Sequence, residues 1–368
     1  MRQTLQKRLL RKLEGGNKQM KHQHWIRSAA IAGVIALLTT GCSVLGTGKK
    51  ADIDAPPTTG AEADVKTTSA AVTIDMIDDN SSQMTVYVKD AKGFVAPLSL
   101  GLPKSVSVAK TTLEYMVDGG PVASLLPSGF EALLPKGTKV ISLNVTSDKR
   151  AIVDFSKEFL TYDQQNERKI LEAITWNLTN FPTVEKVQLR VDGKDLKEMP
   201  KGKTPLDTPL ARSMGINLEK AEDAEFGQST PVTLYFLNQN DQNYKYYVPV
   251  TRLVKRTDNV AKAVVDQLIK GPDQKKGLAS VLNAATEVKS INPADALITV
   301  DFSNKLLGAD QKAPEDALKS VILSLTENTG FKQVQIKVDG AVKFTSSDST
   351  QNYTKPVARP AHINPTKL

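Results

Sequence analysis

The string Val153-Asp154-Phe155-Ser156 recurs as Val300-Asp301-Phe302-Ser303, 147 residues further on, and Val191-Asp192-Gly193 recurs as Val338-Asp339-Gly340 at the same spacing. One offset shared by two strings points to an internal duplication. A duplication restricts the fold more than composition does, because each half must build the same supersecondary unit. Hydrophobic periodicity stays in step between these anchors. Residues 85–88 and 233–236 alternate and are β-branched or aromatic, as strands require. The apolar segments 94–98 and 246–250 follow, each with a proline at the same place, Pro97 and Pro249, which suits an edge strand. Val260, Ala261, Val264, Val265 and Leu268 line one helical face, capped by Thr257, Asp258 or Asn259 and ended by Gly271-Pro272. Ala109, Leu113, Met116 and Val117, ended by Gly119-Gly120-Pro121, are the counterpart.

Strands at 138–143 and 286–291 come next. In the repeated string Ala151, Val153 and Phe155, like Ile298, Val300 and Phe302, face one side, and Asp154 and Asp301 face the other. Ile170, Leu171, Ile174 and Leu178 match Ala317, Leu318, Val321 and Leu325 as a last helix, opened in the second copy by Pro314-Glu315-Asp316. Strands 187–191 and 334–338 each stop at an Asp-Gly turn. The expectation is an α+β fold with two tandem copies of a small ββαββαβ sandwich, helices on one face of a mixed sheet. The copies span 83–194 and 230–341. A linker, 195–229, holds Pro200, Pro205 and Pro209, and a polar tail, 342–368, is expected to be disordered.

The formal charge of +8 does not indicate nucleic acid. Eight of the 48 Lys/Arg but one of the 40 Asp/Glu lie in residues 1–41, so the remainder is close to neutral. That basic segment reads as a targeting signal. Lys21 and Arg27 precede an apolar run at 29–38, too short for a comfortable span, which ends at Thr39-Thr40-Gly41-Cys42. The small residues before Cys42 resemble a bacterial lipobox, in which the cysteine receives a diacylglycerol and palmitate-type acyl chains. Residues 1–41 are then a lipoprotein signal peptide. Residues 42–82, rich in Ala, Thr, Asp, Pro and Ser, form a flexible tether with a reach of about 35 Å. Met20 offers a second, more conventional start, and Cys42 is the only cysteine, so no internal disulfide forms.

The three histidines are His22, His24 and His362, and none falls inside a repeat. With no cysteine there either, Ser-His-Asp and Cys-His sites and His- or Cys-rich zinc sites are excluded. No phosphate-cradling glycine motif follows a strand. Neither a catalytic set nor a cofactor nor a metal is expected. Asp154 and Asp301 are better read as solvent-facing or strand-end residues bonding local backbone N–H groups, and Asp192 and Asp339 as turn formers, than as paired glycosidase carboxylates. The run Tyr244, Tyr246, Tyr247 beside Val248 is the candidate partner contact, with Tyr246, Tyr247 and Val248 its centre, because an edge strand invites strand addition.

A lipobox, a polar tether and two tandem units closing on VDFS and VDG resemble the GerMN-domain family of sporulation lipoproteins. The resemblance covers about residues 83–193 and 231–340. It implies an extracytoplasmic, lipid-anchored membrane protein of a spore-former, needed for sporulation and germination. GerMN domains also resemble ring-building domains of secretion systems, which implies a non-enzymatic scaffold in the channel complex between mother cell and forespore, with envelope proteins as partners and a ring oligomer as the assembly. The alternative is a peptidoglycan-binding or peptidoglycan-remodelling envelope protein.

Overall fold

The computed structural model describes residues 81–225, 227–348 and 351–366, and these belong to one unit. β1 (Ser81–Asp90) and β2 (Val95–Pro103) form an antiparallel hairpin. Its turn is closed by Asp90 Oδ1, which accepts from the N–H groups of Lys92 and Phe94 at 3.0 and 2.8 Å. After α1 (Val108–Glu114), β3 (Phe130–Glu131) adds to β1. β4 (Val140–Val145) and β5 (Arg150–Phe155) are antiparallel. α2 (Glu167–Leu178) then carries the chain over to β6 (Lys186–Val191), parallel to β5, and β7 (Lys194–Asp195) closes a β4-β5-β6-β7 sheet. A parallel pair needs such a crossover, and the helix supplies it.

β8 (Glu219–Lys220) lies between the copies. The second copy repeats the order: β9 (Ser229–Gln239), β10 (Lys245–Lys255), α3 (Val260–Lys270), β11 (Val288–Ala294), β12 (Leu297–Phe302), α4 (Glu315–Thr329) and β13 (Gln333–Val338), with β14 (Val357–Ala358) after it. The α+β class and the ββαββαβ order stand as expected. The layering is finer than one sheet with helices on a face, because each copy divides into a hairpin and a mixed sheet. α2 packs against β1 on one side and β6 on the other, and α4 against β9 and β13. Hence Ile170, Leu171, Ala173, Ile174, Trp176 and Leu178 are buried around α2. From Ile170 to Leu178 the helix is covered on all sides, and two buried polar residues there, Glu172 and Asn177, are hydrogen-bonded.

The geometry explains why two strings keep one spacing. In both copies the strand aspartate closes the turn of the other string. Asp154 Oδ1 and Oδ2 accept from Gly193 N–H, both at 3.0 Å, and Asp301 Oδ1 accepts from Gly340 N–H at 2.9 Å. Asp192 and Asp339 are left-handed, at φ 47° and 51°, as an Asp-Gly hairpin turn requires. The serine has a task as well. Ser156 Oγ accepts from Lys139 N–H and Ser303 Oγ from Glu287 N–H, just before the bulges in β4 and β11.

The linker and the tail are structured parts of the duplication. Residues 210–220 and 357–366 run as two straps, again 147 apart. Leu210 bridges to Val187 of β6, as Val357 pairs with Val334 of β13. Each strap then crosses to the other copy's hairpin: β8 lies parallel to β10, and Pro365 bridges in parallel to Ser99 of β2. The expected disorder of 342–368 is therefore corrected for the described part of that segment. Tyr353 is buried with its hydroxyl donating to Glu315 at 2.7 Å, and Ile363 and Asn364 are buried between the copies. Proline and polar content concealed a segment ordered first by the second copy, through Glu315 and β13, and then by Pro97 and Ser99 of the first.

Two asparagines seal the junction. Asn217 Oδ1 accepts from Val95 N–H at 2.8 Å, and its Nδ2 donates to Val95 O at 2.8 Å and to Pro249 O at 2.7 Å. Asn364 mirrors this on Tyr247 N–H (2.7 Å), Tyr247 O (2.8 Å) and Pro97 O (2.8 Å). At the centre Asn238 Nδ2 and the Tyr246 hydroxyl both donate to Asp90 Oδ2 at 2.8 Å. Nearby, Arg212 and Arg359 flank one carboxylate, Glu327, and stack on Trp176 and Tyr235. Glu327 is 9% exposed and the arginines 28% and 27%. Burial pushes the Glu327 carboxyl up, but the two guanidinium groups outweigh it and hold the group below the usual carboxylate range.

Replacing Glu327 by Gln leaves two guanidinium groups facing a neutral amide. The expected loss is about 2–3 kcal/mol in equilibrium urea unfolding, at the low side for a broken buried pair because the arginines keep some water. Removing the exposed Lys262–Asp266 pair on α3 should cost no more than about 0.5 kcal/mol. Since the folded value of Glu327 is depressed, its contribution is complete above the unfolded carboxyl value of about 4.3 and is lost as pH falls through the folded value. The gap between parent and Glu327→Gln should close over that acid range, and a gap constant down to the lowest pH contradicts the assignment. Asp154→Ala, which strands the turn N–H, is expected to cost about 1–2 kcal/mol, and Asp154→Asn, which keeps an acceptor, less. A chain ended at Lys343 lacks the second strap and should fail to give the cooperative unfolding transition of the full chain.

Candidate interaction surface

An assembly surface needs unsatisfied backbone and exposed apolar side chains together. The tyrosine run expected to provide them does not. Tyr246 is 3% exposed and Val248 is fully buried. Tyr246 lies edge-on to Phe130 at 4.7 Å and donates to Asp90 of the first copy. Burial comes first, then the Asp90 charge, in pushing its hydroxyl pKa far up. Tyr247 is half-buried under the second strap, packed on Ile363, with its backbone held by Asn364. The expected partner contact at Tyr246, Tyr247 and Val248 is thus corrected: these residues bind the other copy and the tail of this chain. The prolines mark an outermost strand in β2 alone, since β10 lies between β8 and β9, and both positions are occupied: Asn364 clamps Pro97 O to Tyr247 and Asn217 clamps Pro249 O to Val95.

The open edge lies elsewhere. β4 is the outermost strand of its sheet, and among the described residues no strand pairs with its outer side. Val140 pairs with Phe155 and Ser142 with Asp154, so Ile141 is the extra residue of a β-bulge. A bulge bends a strand and re-aims the side chain at that point. Ile141 is 50% exposed and Val145 43%, the two large apolar side chains left open on β4. Their counterparts on β11 are Lys289 and Pro293. Lys289 pairs with Asp339 at 2.6 Å, and Pro293 has no N–H to offer. Charge and proline are the ordinary means of blunting an edge, so β11 is protected where β4 is not.

The other candidate residues are placed as follows. Cys42 lies outside the described residues. Asp154, Asp192, Asp301 and Asp339 serve the turns already described. Two further buried carboxylates, Glu167, which the sequence reading did not single out, and Glu315, read there as a helix-opening residue alone, also accept hydrogen bonds. Glu167 accepts from Tyr162 Oη at 2.8 Å and from the N–H groups of Gly202 (2.5 Å) and Thr204 (3.2 Å), and Glu315 accepts from Tyr353. Burial, reinforced by the Glu167 bond, pushes Tyr162 up to about 12. Among the described residues no group of His, Cys, Asp and Glu is arranged to hold a metal ion, and no helix is long and apolar enough to cross a membrane.

Comparison with known proteins gives a consistent placement. The family Germane, described as sporulation and spore germination, matches residues 76–197 and 233–343. These two segments correspond to the copies and leave both straps outside. The spore germination protein GerM of Bacillus subtilis (strain 168) is 38% identical over 354 residues, covering 89% of this chain and 94% of that protein. The solved structure of the tandem GerMN domains of the sporulation protein GerM from Bacillus subtilis is 37% identical with a TM-score of 0.73, covering 78% of this chain and all of that one. With the duplication, both copies and most of the fold accounted for, the chain belongs to the GerM family of sporulation and spore germination proteins.

Proposed function

We propose that this chain is a non-enzymatic assembly component of the sporulation envelope. It is held on the extracytoplasmic face of the cell membrane by acyl chains on Cys42 and joins the channel complex between mother cell and forespore by strand addition along β4. The observation that carries the reading is the open, bulged, apolar edge of β4 beside a matched edge in β11 that is blunted by Lys289 and Pro293. Main-chain hydrogen bonds along such an edge supply affinity, and the alternate side chains Ile141 and Val145 supply specificity. The lipobox before Cys42 supports the anchor, since one diacylated cysteine carries enough chain for stable attachment. Membership of a sporulation and germination family supports the setting.

A photo-cross-linking residue placed at Ile141 in sporulating cells should give discrete adducts with envelope proteins, and the same residue at Lys289 should not. Ile141→Lys with Val145→Lys should abolish those partners' co-purification while leaving the urea midpoint within about 0.5 kcal/mol of the parent, because both positions are surface ones. Equal cross-linking at the two positions, or retention of partners by the double variant, rejects β4 as the interface.

A further inference from the structure

A cleft of about 780 Å³ opens between the copies, walled by the β1–β2 turn, the first half of α2, the first strap and the turn after α3. That volume is within the usual range for a ligand site, about 300–1,000 Å³. Five cationic side chains line it, Lys92, Arg168, Lys169, Lys275 and Lys276, against one carboxylate, Glu172. Glu172 neutralises one of them, Arg168, with which it forms an ion pair at 2.8 Å. It is buried, it accepts from Arg168 Nε at 2.8 Å and from Asn217 N–H at 3.1 Å, and desolvation pushes its carboxyl up. Lys276 reaches Glu219 at 3.5 Å, while Lys169 and Lys275 make no side-chain hydrogen bond or ion pair among the described residues.

The duplication supplies an internal control. Lys92 Nζ donates to Gly277 O and to Asn238 Oδ1, both at 2.7 Å, and in the other copy Asn240 Nδ2 donates to Ser128 O at 3.0 Å. A neutral amide makes the turn-to-turn bond in the other copy, so the bond to Gly277 O does not by itself call for a charge at position 92. On α4 the residues matching Arg168 and Lys169 are Glu315 and Asp316. The positive cleft is therefore confined to one of two pseudo-equivalent places and is not a by-product of the architecture. Four of its five cations are lysines, compact point charges on flexible stems that suit dispersed phosphate oxygens, whereas paired carboxylates favour the fork of arginine. Charges on three walls call for a ligand with more than one anionic group.

We propose that this cleft binds a ligand carrying phosphate groups, from either a soluble phosphate chain or a phospholipid headgroup. The site is separate from β4 and does not depend on the assembly reading. The full-length protein in neutral detergent is titrated calorimetrically with tripolyphosphate in one arm and with dihexanoyl phosphatidylglycerol, kept monomeric, in the other. Lys92→Asn/Lys169→Gln/Lys275→Gln uses at position 92 the residue that serves the other copy, and Lys275→Glu alone changes one exposed side chain should the triple variant unfold. Saturable binding in either arm, weakened about tenfold or more by the triple variant and measurably by Lys275→Glu, is the expected result. The arm that responds identifies the source. Lys157→Gln/Lys194→Gln/Lys197→Gln, equal in charge and outside the cleft, should bind like the parent. Absence of saturation in both arms, unchanged binding by the cleft variants, or an equal loss in the control variant overturns the proposal.

Discussion

Asn217 and Asn364 hold this molecule together where a sheet would otherwise have ragged edges. Each side chain offers one acceptor and two donors, and each spends them on the backbone of two strands from different copies. The matched strand positions are Pro97 and Pro249, which present a carbonyl and no N–H, so an amide donor is the complement they need. Both asparagines are left-handed, at φ 48° and 54°, a conformation that asparagine tolerates better than other side-chain-bearing residues. Without these clamps the hairpins would meet with unpaired buried carbonyls, each costing about 1–3 kcal/mol. The strand addition at β8, the burial of Tyr246 and the central Asp90–Asn238 contact all follow from edges brought together in this manner.

Periodicity made the two copies legible because their cores are built from alternating strands and amphipathic helices, with Val153, Phe155, Val300 and Phe302 all fully buried. The role of Asp154 was legible only in part: an acceptor for local backbone N–H groups was expected, and the group it holds is Gly193 N–H, 39 positions away. The straps were not legible. They repeat at the same offset, with Ala211-Arg212 against Ala358-Arg359 and Ile216-Asn217 against Ile363-Asn364, yet they carry little periodicity and are rich in proline and polar residues. Their order derives from residues far away in the chain, which local patterns do not encode. The tyrosine run failed for the same reason: a half-polar edge strand looks identical whether it faces solvent or a second copy. The β4 edge escaped notice because a bulge shifts Ile141 out of the alternation that would have assigned it inward.

Symmetry is close at the junction and broken where function is proposed. Asn217 with Asn364, Arg212 with Arg359 and Thr179 with Thr326 are matched pairs in equivalent contacts. By contrast Glu327 stands against Asn180, Ile141 against Lys289 and Lys169 against Asp316. The first difference gives two arginines a shared counter-ion in place of two. The others leave one copy with an open edge and a basic cleft and the other with neither. The copies thus share a scaffold while presenting different chemistry to their surroundings.

The interlaced straps also dictate when the molecule can be finished. Asn364 bonds to Pro97 across 267 positions of chain, so a polypeptide made from its N-terminus completes both copies before the first hairpin acquires its full covering. Until then the outer edge of β2 is held by Asn217 at Val95 alone of the two clamps, and the rest is open to pairing with a neighbouring chain, the circumstance in which nascent β-structure aggregates. Closure over such a span is slow compared with local helix and hairpin formation. A chain that stops short of the second strap therefore leaves that edge exposed, and a helper that shields the early hairpin during synthesis would act on this interval.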